Sequence, residues 1–155
     1  MLPTSAVALF CDDIREEKSG AVILIGIMGD NVSIPRPPDE ADGMVGVIPR
    51  LCIYIRVNFD VSADVAPISF KVTMPDGSEL DAGKIDERTI ATAKSTRDKG
   101  NPMGGVVSRL KLGGLMMNKL GRMTVEANVG GQVYLAGFLN FISEETKPMD
   151  QADAP

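Results

Sequence analysis

Apolar and polar residues alternate almost without error in five stretches of this chain, and a period of two confines those stretches to half-buried β-strands. Within residues 51–59, one face carries Leu51, Ile53, Ile55, Val57 and Phe59, while Cys52, Tyr54, Arg56 and Asn58 point the other way. Ile68, Phe70, Val72 and Met74 alternate with Ser69, Lys71 and Thr73, and Met123, Val125 and Ala127 with Thr124 and Glu126. Weaker versions run through residues 106–112 and 133–141. One face of each segment must be buried against a second layer, so the pattern demands a sheet packed on another sheet.

Turn chemistry divides the segments. Pro75, Asp76 and Gly77 predict a hairpin corner, because proline presets the first position and glycine completes the turn. Gly130-Gly131 predicts a second hairpin, joining residues 122–128 to 132–142. A first strand is expected over residues 6–11, followed by a polar turn over 12–20. Residues 21–28 are apolar on both faces, which predicts a central strand covered on both sides. Residues 35–46, with Pro35, Pro37 and Pro38, are expected to be irregular. Residues 86–102 fit neither period and predict a single helical turn or a long loop. Gly105, Gly113 and Gly114 predict a bulge or bend in the strand over 104–117. The resulting expectation is an all-β fold: an antiparallel two-sheet β-sandwich of about seven or eight strands, immunoglobulin-like or jelly-roll-like, with a small β-barrel as the alternative. Residues 1–142 form one domain, and 143–155 a disordered acidic tail.

With 155 residues, 44% of them hydrophobic and 24% charged, the chain can bury a core large enough for one domain. Its longest apolar run, residues 21–28, is far short of the roughly 20 residues a membrane helix needs. Residues 6–11 are too short for the apolar region of a signal peptide and run into Asp12 and Asp13. A cytoplasmic location is therefore expected. Cys11 and Cys52 suit a reducing compartment as small buried side chains, with a disulfide between neighbouring strands as the alternative.

The chain contains no histidine. Ser-His-Asp and Cys-His catalysis and the histidine-bearing zinc and iron sites are thereby excluded. Gly104-Gly105 and Gly113-Gly114 do not match a phosphate-binding loop. No cofactor is expected, and a non-enzymatic role is the leading expectation; a hydrolase working through acidic residues alone is the enzymatic alternative these exclusions leave.

Three features remain as candidate sites. Asp12, Asp13 and Glu16 could together hold a hard cation such as Ca²⁺, though without EF-hand spacing; Asp30 falls too far along the hairpin to join them. The plainer reading is that Asp12 and Asp13 order a turn and pair with Arg15. Second, Lys99, Arg109, Lys111, Lys119 and Arg122 follow one another with no acidic residue between them. They suggest a polyanion surface, or else the solvent side of strands answered by carboxylates on neighbours. No aromatic residue lies between Phe70 and Tyr134, so a stacking platform for nucleic acid is missing there. Third, Leu115, Met116 and Met117 beside two glycines suit an adaptable contact patch or ordinary core packing.

The run Cys11-Asp12-Asp13-Ile14-Arg15-Glu16-Glu17, followed by Gly20, Leu24-Ile25-Gly26-Ile27 and Asp30, resembles a family of small bacterial proteins known only as a domain of unknown function. The likeness is densest over residues 6–34 and looser through the rest. It implies an antiparallel β domain and no catalytic residue, cofactor or substrate. The expected role is a protein-binding or self-assembling module, homo-oligomeric or with a protein partner and away from membranes. The alternative is a small-ligand, sugar or cation-binding module that uses residues 12–17.

Overall fold

The computed structural model describes residues 1–35 and 45–144. Most of the expected 35–46 loop and the tail from residue 145 onward lie outside them. Within the described residues there are nine strands and one short α-helix. The strands are β1 (Ser5–Glu16), β2 (Val22–Ile27), β3 (Asn31–Ile34), β4 (Gly46–Asp60), β5 (Ile68–Thr73), β6 (Glu79–Ile85), β7 (Met103–Met117), β8 (Gly121–Val129) and β9 (Gln132–Ser143). They form a four-stranded sheet in the order β2-β1-β4-β7 and a five-stranded sheet in the order β3-β9-β8-β5-β6. The two sheets face each other as a sandwich and do not close into a barrel.

The alternation that predicted strands now explains the core. Leu51, Ile53, Ile55, Val57 and Phe59 of β4 are fully buried, facing Ile68 and Val72 of β5, Met123, Val125 and Ala127 of β8, and Leu139 and Phe141 of β9. Burying a side chain of this size contributes roughly 1.5–3 kcal/mol. Gly130 and Gly131, at φ 57° and 87°, make the tight β8–β9 connection, a conformation that two successive side-chain-bearing residues resist. The Pro75–Gly77 corner closes with Gly77 N–H donating to the Met74 carbonyl at 2.9 Å.

Three expectations need correction. The pairing is not wholly antiparallel, since β3 runs parallel to β9. The chain leaves the first sheet after Met28, whose N–H donates to the Phe10 carbonyl, and enters the second at Asp30, whose carbonyl accepts from Asn140 N–H. No crossover helix is needed, because most of the sandwich lies between the two strands in sequence. Residues 87–94 form the helix α1 (Glu87–Lys94) rather than a single turn or a loop. Asp86 caps it, its carboxylate accepting from the backbone N–H groups of Arg88 at 2.6 Å and Thr89 at 3.2 Å, and Ile90 anchors it in the core. The third lies in β1 and β2, where the strand runs on to Glu16 and β2 is an edge of its sheet.

Among the described residues Asp60 is the one charged side chain that is buried, at 8% exposure. The Ser62 hydroxyl at 2.6 Å, the Leu2 N–H at 2.8 Å and the Ser62 N–H at 2.8 Å all donate to it. The hydroxyl first, then these N–H groups, hold its carboxyl down at about 2, against the opposing pull of burial. A carboxyl more acidic in the folded than in the unfolded chain stabilises the fold above its unfolded value of about 3.9 and loses that contribution as pH falls towards the folded value. Thermal melts are therefore expected to drop between about pH 4 and pH 2. Asp60→Asn should flatten that part of the profile, and an unchanged slope would contradict the assignment.

Candidate functional site

The sequence assigns residues 12–20 to a turn, but β1 continues as strand through Glu16 and only residues 17–20 turn the chain. Up to Cys11, β1 pairs with β4, in the register Leu9↔Tyr54 and Cys11↔Cys52; from Cys11 to Glu16 it pairs with β2. Arg109 of β7 stands level with Tyr54 and hence with Leu9. Its guanidinium nonetheless reaches the Glu16 carboxylate at 2.7 Å. A straight strand would carry Glu16 roughly 23 Å past Leu9 at about 3.3 Å per residue. The distal β1–β2 hairpin therefore curls back as an arm over the outer face of the four-stranded sheet.

Gly26 makes the bend. It lies opposite Asp12 with φ +66°, and a Cβ built there would collide with the Asp12 carboxylate, so any side chain here would strain the backbone and displace Asp12. Under the arm a second small core forms from Cys11, Ile14 and Cys52, all buried, with Val22, Leu24 and Tyr54 packed against them. This arrangement corrects the reading of β2. Its two apolar faces do not signal a central strand: β2 is an edge. Val22 and Leu24 point into the arm's core, whereas Ile23, Ile25 and Ile27 remain 42%, 38% and 58% exposed.

Asp12, Asp13 and Glu16 are not brought together as a cation cage. Asp13 is ringed by Arg15 at 3.2 Å, Lys111 at 3.6 Å and Arg50 at 3.9 Å. The Arg15 hydrogen bond, helped by the charges of Arg50 and Lys111, holds the Asp13 carboxyl below its usual range. Glu16 is paired with Arg109, and the Asp12 carboxylate lies against Gly26. Among the described residues no group of three or more His, Cys, Asp or Glu side chains is arranged to hold a metal ion. Each of these acids instead fastens the arm to the sheet or shapes its bend.

The same contacts account for much of the basic segment. Arg109 and Lys111 answer Glu16 and Asp13, while Arg122 stacks over the Phe138 ring at 4.3 Å and donates to Asn140. Exposed ion pairs contribute little, so Arg109→Ala is expected to cost less than about 1 kcal/mol. The difference should vanish in 1 M salt; a larger or salt-independent loss would mean that Arg109 has another role.

Leu115, Met116 and Met117 divide. Met117 is fully buried and Leu115 packs against the core, but Met116 is 66% exposed beside its cross-strand neighbour Val47 at 46%. A cleft of about 180 Å³ opens there, between the Pro75–Gly77 corner and residues 115–119. A larger hollow of about 520 Å³ lies between the N-terminal residues and the turns at 62–65 and 129–132, and Asp64 is its one charged lining side chain. Asp76, Ser78 and Lys119 line the smaller cleft, where the Ser78 hydroxyl donates to the Asp76 carboxylate at 2.6 Å.

What the sequence missed is the isoleucine row of β2, a strand whose outer edge is unpaired among the described residues, with three large apolar side chains turned outward. Its one signal is that residues 22–27 are apolar on both faces, a pattern equally consistent with a central strand and with an edge strand that leaves one apolar face outside. No family model, curated protein or solved structure matches the chain. No helix among the described residues is long and apolar enough to cross a membrane.

Proposed function

We propose that the chain is a non-enzymatic, cytoplasmic β-sandwich module whose function is protein binding, and that its partner is a second copy of itself docked through β2. The observation that carries this reading is the exposed row Ile23, Ile25 and Ile27 on a strand whose outer edge is unpaired among the described residues. Edge strands that stay single are guarded by lysine, proline or a covering element, and residues 22–27 contain neither of those residues. The row is also self-complementary. Antiparallel pairing about Ile25 sets Ile25 against its copy and Ile23 against Ile27 of the other chain, as a two-fold interface requires. The resemblance of residues 6–34 to the small bacterial family belongs to the same proposal and adds no activity to it.

Light scattering over a range of concentrations tests the idea. The expected mass rises from the 16.5 kDa of one chain to twice that value. A single-chain mass at every concentration would remove the proposal.

A further inference from the structure

We propose that Cys11 and Cys52 are a thiol–disulfide pair, which closes into a cross-strand disulfide between β1 and β4 when the protein meets a small disulfide such as oxidised glutathione. The two residues are direct partners in the antiparallel register. Such partners hold their Cα atoms about 4.5–5.5 Å apart, inside the roughly 4.4–6.8 Å that a disulfide spans. Both are free and fully buried, and both lie in the small core beneath the arm. The Cys52 thiol donates to the Asp12 carbonyl at 3.6 Å, which keeps it at the β1 side of the pair. Burial, and after it the proximity of Cys52, pushes the Cys11 thiol up, since both effects disfavour its charged form. Closure would cross-link strands that are far apart in sequence, and the arm decides when a reagent reaches them.

The chemistry balances as two exchanges. One cysteine thiolate attacks a sulfur of oxidised glutathione, forming a mixed disulfide and expelling a glutathione thiolate, which takes up the proton that the cysteine lost. The second cysteine thiolate then attacks the protein-side sulfur and expels the other glutathione, again with transfer of one proton. Two protein thiols are oxidised and one small disulfide is reduced to two thiols.

The test uses the reduced full chain under native conditions with oxidised glutathione. The expected product is a chain lighter by two hydrogen atoms, yielding a Cys11–Cys52 cross-linked peptide. Its Tm should lie about 10 °C above that of the reduced protein, since closing a long loop restricts the unfolded chain. A dithiol reductant should reverse the change. Leu24→Ala thins the arm's cover and should speed closure on the order of tenfold, while Cys52→Ser should stop at the mixed disulfide. Glutathione adducts accumulating on the wild-type chain, or disulfides between chains, would overturn the proposal. So would thiols that stay reduced in the folded protein while reacting fully in urea.

Discussion

Phe59→Ala is expected to lower the unfolding free energy by about 3–5 kcal/mol, a large share of the roughly 5–15 kcal/mol that holds an ordinary domain together. Phe59 is fully buried at the end of β4. A Cβ on Gly104 would lie 2.9 Å from its ring and 3.0 Å from the Ala93 carbonyl of α1. The ring, the bare backbone of β7 and the helix thus close one end of the sandwich at a single point. Gly104 has no side chain to move into the cavity, and the helix beside it is short. The space should therefore stay empty, and the loss should sit at the upper end of the range. Phe59→Leu keeps most of the volume and should cost less than about 2 kcal/mol. Urea unfolding measures both, through a lower midpoint at unchanged m-value. A loss below about 1 kcal/mol in the alanine variant would mean that the ring is not enclosed at this point.

The strands around Phe59 were legible in the sequence, for a local reason. In β4, β5 and β8 the buried face is buried by the opposite sheet and the other face is mostly polar, so neighbouring residues alone reveal the alternation. The β1–β2 arm breaks that correspondence. Asp13 and Glu16 look like turn residues because their partners, Lys111 and Arg109, lie on a strand far along the chain. The apolar β2 looks central because Val22 and Leu24 bury themselves on Cys11 and Cys52, leaving the three isoleucines outside. Both errors come from one bend at Gly26, and residue spacing cannot announce a bend whose purpose is to reach a distant surface. The helix α1 had a readable start, with Asp86 as cap and Glu87 in its first turn, but eight residues with one buried side chain give too short a period to recognise. The facing of Cys11 and Cys52 depends on the β1–β4 register, which a sequence with two cysteines leaves open.

Ile25→Lys is expected to weaken self-association on the order of 100-fold while leaving the fold intact. Ile25 sits at the centre of the proposed two-fold contact, so one substitution places two ammonium groups opposite each other, and like charges in that position cost several kcal/mol. The same residue points away from the arm's small core and is 38% exposed in the single chain, so little packing is lost there. Lysine is also the residue with which natural edge strands prevent pairing. Sedimentation of wild type and variant at matched concentrations reads the dissociation constant, and thermal melting of dilute samples reads the fold. Ile25→Val, apolar and slightly smaller, should lose less than tenfold. If Ile25→Lys melts like the wild type in dilute solution and still assembles with unchanged affinity, β2 is not the contact and the exposed Met116–Val47 pair becomes the surface to substitute next. If both variants associate as predicted, the curled arm acquires a purpose: it turns an edge strand outward, away from the sandwich, where a second copy can reach it.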